Sequence, residues 1–513
     1  MGVGSNVRRF HGFAHSCVLF GNFHAMTSRI AVAALSVASL ACFGNPPGVR
    51  GVAGTAPAPN VPWTPPRSPE VAAAPRAAPL PELPPDVAGR IARLKLADVI
   101  DIALRNNIAT SAAWADARAA AARYGAAKGQ YYPAIAIDGA VTAIKTVPSA
   151  GRAAVQQQFY GPSLSLSWLL FDFGGRSGSV GEAREALLAA DWIHNATLQS
   201  VVLAVEQAYF QYLGTKALLA AQRTTLAETQ TNLTAAEQRH KVGLATIADV
   251  LQARTALSQA QLALEGTEGA LQTTRGALAL SMGLPANVPY DIATPPDTTL
   301  PLGILDSVDT LIDRAVRNRP DLAAARALAR ATRAQVSVAR AEALPSLVLG
   351  GSSGETYFIN PPRFGNSYTA TLSLQIPLFS GWSQIYGVKA ASAAAGAADQ
   401  RAKGLEQQVV FQVFNSYYGL RTATQRVRTS ADLLASATQS EQVALARYKA
   451  GAGNLLDLLA AQAALADARA QQVQAHFTWH TALAQLARDA GILGLDGSSP
   501  LRLQSDTTGT HEE

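Results

Sequence analysis

From about residue 96 onward, apolar side chains recur at helical spacing over stretches longer than a compact domain uses. One stretch runs from about 177 to 240, where Leu198, Val205, Tyr212, Leu219, Leu226 and Leu233 fall every seven residues. Another runs from about 383 to 449, with Val413, Leu420, Val427 and Leu434 in the equivalent places. The intervening seam positions are small or polar: Ala208, Thr215, Gln222, Thr229 and Ala236. A sustained seven-residue repeat predicts coiled-coil packing, in helices roughly 95 Å long at 1.5 Å per residue. One large and one small row suits helices laid side by side in a wall; an antiparallel bundle explains the heptads equally well. Single helices are also predicted over about 96–130 and 307–343, each stopped by a proline, and over about 246–281 and 454–490.

Between the shorter and the very long helices the period changes from 3.6 to 2. Ser163-Leu164-Ser165-Leu166-Ser167-Trp168 alternates strictly, and so does the run from Tyr368 to Ile376. One face carries Leu, Trp, Tyr and Ile; the other carries Ser, Thr and Gln. Length and chemistry fit a transmembrane β-strand with a lipid face and a wet lumen face. A partner strand is predicted before each, near 134–143 and 346–353, giving hairpins over 132–172 and 345–379. Two hairpins cannot close a membrane barrel, since the smallest use eight strands, and open edges are not tolerated in lipid. If these strands lie in a membrane, several chains share one barrel. If they do not, they are ordinary soluble hairpins.

The pattern occurs twice. Asp101-Ile102-Ala103-Leu104-Arg105-Asn106 recurs as Asp313-Arg314-Ala315-Val316-Arg317-Asn318, and Lys241-Val242-Gly243 as Lys449-Ala450-Gly451. Such self-similarity marks a tandem duplication. It divides the body into a first repeat, 91–282, a proline-containing connector, 283–306, a second repeat, 307–492, and a tail, 493–513. The expected class is mainly α with one β-hairpin per repeat.

Composition adds the leading segments. The chain has 513 residues with 7% aromatic and 15% charged residues, and its apolar share is rich in alanine. Its net charge of +6 is dispersed rather than clustered, which argues against nucleic-acid binding. Thirteen of the 27 prolines fall between Pro46 and Pro85, so 43–90 reads as an extended Pro/Ala-rich linker. Before it, Arg29, an apolar run from Ile30 to Leu40 and small residues describe a secretory signal within a leader of 1–42. Cys42 is a candidate lipidated first mature residue, although Ser39 stands where a lipoprotein signal prefers Leu. With Cys17 the only other cysteine, the body holds no disulfide and no Cys-based metal motif.

Two duplicated signatures resemble the TolC-type outer-membrane efflux proteins, also called outer membrane factors. They are Arg239-His240-Lys241-Val242-Gly243-Leu244-Ala245-Thr246-Ile247-Ala248-Asp249 and Arg447-Tyr448-Lys449-Ala450-Gly451-Ala452-Gly453-Asn454-Leu455-Leu456-Asp457. Leu170-Phe171-Asp172-Phe173-Gly174-Gly175 and Ile376-Pro377-Leu378-Phe379-Ser380-Gly381 look like the family's turn from strand into long helix. The resemblance covers about residues 90–492. It implies a homotrimer whose chains each give four strands to a 12-stranded outer-membrane barrel, continued by a helical tunnel through the periplasm. It also implies a periplasmic adaptor and an inner-membrane pump as partners, with outer-membrane lipid around the barrel. Asp249 and Asp457 match two acids at the family's narrow aperture, where three-fold symmetry makes rings of carboxylates that attract cations. A further family Asp is replaced by Ala460, and the basic partner of the closing link falls on Gly453. Arg447, Lys449 and His240 are the candidate substitutes. Both acids also stand where a residue caps a helix after a glycine turn, and the two roles are compatible.

Catalytic patterns fail on context. Gly350-Gly351-Ser352-Ser353-Gly354 fits G-x-S-x-G but lies in a predicted strand rather than a strand-to-helix turn. His476 and His480 are four apart on a helix, but Phe477 replaces the glutamate of a zinc motif. No enzyme, cofactor or metal is expected. The resemblance implies a passive export duct for small toxic molecules, antibiotics and small aromatic acids among them, with a duct for secreted polypeptides as the alternative cargo reading. A soluble periplasmic coiled-coil scaffold is the alternative in class.

Overall fold

The computed structural model describes residues 58–63, 94–146, 155–292, 303–304, 306–359, 361–494 and 503–504, all within one compact unit, Gly54–Glu513. The leader, Cys42 and most of the linker lie outside these residues. The chain builds α1 (Leu96–Asn106), α2 (Ile108–Gly129), β1 (Ala134–Thr146), β2 (Val155–Phe171), α3 (Gly175–Lys241) and α4 (Ile247–Ser281). After a two-residue strand β3 (Gly303–Ile304) come α5 (Val308–Asn318), α6 (Pro320–Ala341), β4 (Ser346–Phe358), β5 (Arg363–Gln375), α7 (Ser383–Lys449) and α8 (Leu455–Asp489). Helix lengths match between the two sets: 11 and 11, 22 and 22, 67 and 67, 35 and 35 residues. A final strand β6 (Leu503–Gln504) pairs antiparallel with β3, tying tail to connector.

The single helices expected over 96–130 and 307–343 are each two helices. Asn107 is extended, with φ −68° and ψ 128°, and its side chain accepts from the Ala109 N–H to restart the helix. Arg319 takes the same conformation because Pro320 follows it, and a residue before proline is driven out of the helical region. Proline then occupies a first-turn position, where its missing N–H costs nothing.

At 67 residues, α3 and α7 are each about 100 Å long. Leu198, Val205, Tyr212, Leu219 and Leu233 are buried along α3, and Val413, Leu420 and Val427 along α7, as the heptads require. The main core joins Leu198, Val205 and Tyr212 of α3 and Val413, Leu420 and Val427 of α7 to α1, the end of α4, the connector residues Tyr290 and Ile292, and Trp479 and Leu486 of α8. Outside it, the segment 58–63 is strapped onto α3. Asn195 accepts from the Trp63 N–H at 2.8 Å and donates to its carbonyl at 2.7 Å, while His194 Nε2 donates to the Val61 carbonyl at 3.1 Å.

β1, β2, β4 and β5 form one antiparallel sheet in that order, so the two hairpins lie side by side through β2 and β4. β1 and β5 are its free edges among the described residues. Return into the long helix is abrupt: Phe173 and Gly174 take φ of 49° and 97° before α3, and Gly381 and Trp382 take 63° and 67° before α7. In the first turn Asp172 accepts from the Arg176 N–H at 2.6 Å, and the Arg176 guanidinium donates back to the carbonyls of Leu169 and Leu170.

Candidate functional site

Strand pairing settles which side chains share a face. Successive residues of a strand point to opposite faces, and directly paired residues point to the same one. One face therefore holds Ile135, Ile137 and Val141 of β1; Tyr160, Leu164, Leu166 and Trp168 of β2; Leu349 and Tyr357 of β4; and Phe364, Tyr368, Leu372 and Leu374 of β5. The opposite face holds Asp138 and Thr142; Ser163, Ser165 and Ser167; Ser352 and Thr356; and Ser367, Thr369, Thr371 and Ser373. Ser165 donates to Asp138 across this polar face at 2.6 Å. On the apolar face Val141 is 84% exposed, Phe364 75% and Tyr368 87%. A soluble sheet would bury that face. Here it is left open.

Aromatic rings mark both ends of the apolar band. Toward the hairpin tips Tyr160 stacks on Tyr357, with Phe364 beside it, at centroid distances of 5.4 and 6.3 Å. At the helix end stand Tyr132, Trp168, Phe171, Phe173, Phe379 and Trp382, all at least 36% exposed. Eight to eleven residues of β2 separate the two sets, roughly 25 Å along the normal of a tilted strand. That is the height of an outer-membrane barrel's apolar band between its aromatic girdles. Among the described residues no helix is long and apolar enough to cross a membrane.

At the other end of the long helices, α3 turns into α4 and α7 into α8, each over a left-handed glycine, Gly243 or Gly451. The two turns share a small core of Leu233, Ala236, Val250 and Leu257 with Tyr448, Leu455 and Leu458. Asp249 and Asp457 are thus brought to the same end of the chain. Their surroundings differ. Asp249 completes a capping box: its carboxylate accepts from the Thr246 N–H and hydroxyl, both at 2.8 Å, and its own N–H donates to the Thr246 oxygen. Asp457 donates its N–H to Asn454 Oδ1, but its exposed carboxylate has no partner among the described residues. None of Arg447, Lys449 and His240 pairs with either acid within the chain; His240 Nδ1 donates to the Ala245 carbonyl. The cation that links the two turns is Arg239, whose guanidinium lies 4.2 Å over the Tyr448 ring and donates to its carbonyl at 3.3 and 3.2 Å. The sequence reading assigned it no role, because its partner belongs to the other copy of the repeat, beyond any local spacing rule.

The family model described as outer membrane efflux protein matches the chain twice, over residues 99–284 and 311–491. The chain belongs to the outer membrane efflux protein family. The protein CyaE of Bordetella pertussis is 31% identical over 432 residues, covering 81% of this chain and 88% of CyaE. The pyoverdine export outer membrane protein OpmQ of Pseudomonas putida is 28% identical over 351 residues, covering 66% and 72%. The solved structure of the outer-membrane channel OprN shares the fold, with a TM-score of 0.71 at 21% identity over 78% of this chain and 90% of that one.

Ser352 lies inside β4 on the polar face, away from any strand-to-helix turn. His480 stacks on Phe210 at 4.6 Å, and burial, with His476 nearby, lowers its pKa to about 4. Cys42 lies outside the described residues.

Proposed function

We propose that three copies of this efflux protein close their four-stranded sheets into a 12-stranded barrel in the outer membrane. The long helices α3, α4, α7 and α8 then wall a duct in the periplasm. The observation that carries this reading is the sheet itself. It has two free edges and an exposed apolar face about as tall as a lipid core, while its polar face suits a water-filled lumen. Four strands cannot close alone, and an edge left open in lipid strands its N–H and C=O groups. The matched helix lengths and the twofold family match support a tandem duplication with repeats at 91–282 and 307–492. The leader of 1–42 and linker of 43–90 would export the chain and lead into the body.

In this reading the duct is passive, and a periplasmic adaptor and an inner-membrane pump bring cargo and energy. Small molecules are the cargo class, a choice supported by a relative named for pyoverdine export. Asp457, with a free carboxylate, supplies the charge at the aperture, and Arg239 on Tyr448 holds the two turns together. Extraction followed by native mass spectrometry in detergent tests the reading. The protein should resist carbonate, require detergent and appear as three chains. A single chain released by carbonate would return it to a periplasmic scaffold.

A further inference from the structure

Near the helices the polar face also carries Leu169 and Val348, and at the opposite end a second row departs from small hydroxylated side chains. Thr142, Phe159, Phe358 and Arg363 lie across the four strands at the hairpin tips, the end farthest from the helices. The Phe159 and Phe358 centroids are 5.7 Å apart with a 50° tilt, and the Arg363 guanidinium sits 5.5 Å over the Phe358 ring. Arg363 is exposed and has no ion pair among the described residues. Two residues further in, the same face presents Ala140, Gly161, Thr356 and Gly365. Gly161 has no room for a side chain, since a Cβ there would stand 1.8 Å from the Glu355 carbonyl oxygen. This row of small side chains lies directly beside the rings and the guanidinium.

Bulk apolar rings are out of place in a wet lumen, where they gain nothing from lipid and leave apolar surface in water. Paired with an unneutralised guanidinium they make a two-point receptor. A flat π-system can stack offset on the phenyl rings, while a carboxylate takes the parallel N–H donors of arginine. A cation of the same shape would meet like charge, and an aliphatic acid would lose the stacking.

We propose that Phe159, Phe358 and Arg363 form a luminal subsite for planar aromatic carboxylates, repeated in each copy around the outer rim of the barrel. The proposal rests on the channel reading above, which makes the polar face the lumen. Twelve strands about 4.8 Å apart and tilted about 40° enclose a lumen roughly 24 Å across between backbones. Occupied subsites narrow that opening without sealing it, so the subsite delays aromatic anions at the exit and favours them over other solutes.

The full-length trimer in a planar bilayer tests this, with 2-naphthoate added on the side reached by the hairpin tips. The expected result is a concentration-dependent fall in single-channel current. Cyclohexanecarboxylate and 2-naphthylmethylammonium should need at least tenfold higher concentrations for the same effect. Arg363→Gln and Phe358→Leu should each weaken the 2-naphthoate effect at least tenfold, Arg363→Lys should weaken it less, and Ser373→Ala, on the same face near the helix end, should leave it intact. A conducting channel that responds equally to all three probes overturns the subsite while the channel reading stands. So does one whose response survives both Arg363→Gln and Phe358→Leu. If neither the natural protein nor its Arg239→Ala form conducts at all, the channel reading fails and the subsite falls with it.

Discussion

Two aspartates at matching places in a duplicated motif need not do the same work. Asp249 spends its carboxylate on Thr246, so its removal unmakes a capping box, a loss of about 1 kcal/mol. Asp457 has no such bond to lose. Asp249→Ala should therefore lower the melting temperature, whereas Asp457→Ala should leave it in place and reduce cation preference, read as a shift in reversal potential across a salt gradient. Equal behaviour of the two variants in both assays would contradict this division. Asp191 gives the stability a pH dependence. It is fully buried on α3, both carboxylate oxygens lack a hydrogen-bond partner, and burial raises its pKa to about 8. The folded state thus keeps a proton that the unfolded chain releases near its ordinary value of 3.8. That stabilisation is whole below pH 3.8 and drains away as the pH rises to about 8. Asp191→Asn should raise the melting temperature at pH 8 by several degrees, raise it little at pH 4, and flatten the slope between. A constant difference across that range would remove Asp191 as the cause.

Helix α6 is tied to its neighbours by Arg326, Arg330 and Arg333 on its partly exposed side and by a buried cation at its start. Arg319, at its N-terminus, pairs with Asp321 at 2.5 Å and lies 3.8 Å from Asp489 at the end of α8, and it donates to Gln412 of α7 at 2.7 Å. Burial pushes the Asp321 pKa up, but the Arg319 bonds outweigh it and hold the carboxyl below its ordinary value. Arg319→Met takes the guanidinium from Asp321, which keeps the Leu322 N–H, while Asp489 keeps Arg488 and Gln485; it should cost about 1–3 kcal/mol, measured as a shifted denaturation midpoint. A loss below about 1 kcal/mol would show that water replaces the guanidinium. The elements themselves were largely legible, because heptads and strict alternation are long, regular signals: Leu198 to Leu233 and Ser163 to Trp168 lie where their periods place them. The breaks at Asn107 and Arg319 were missed although Asn107 and Pro320 are ordinary start signals, since apolar spacing continues across both. Arg239 on Tyr448 and the Phe159–Phe358–Arg363 row stayed hidden for another reason. Each joins residues some 200 apart in the chain, and only the sheet register or the packed turns bring them together.

For the molecule as a whole, the account turns on what meets the two faces of the sheet. Lipid on one side and water on the other require several chains and an enclosed pore, and in the proposed reading the distant turns close it. Arg239→Ala should loosen that closure and raise conductance several-fold, and an unchanged conductance would place the closure elsewhere. Cys42→Ala should leave the protein in the outer membrane, because the barrel rather than a lipid holds it there; loss from that membrane would make the anchor essential. The most direct test of the central claim is single-channel recording of the detergent-extracted, full-length protein in a planar bilayer, beside its Arg239→Ala form. Discrete, cation-preferring steps are expected, larger in the variant. A bilayer that stays silent with both forms would contradict it, and the exposed apolar face would then need another partner than lipid.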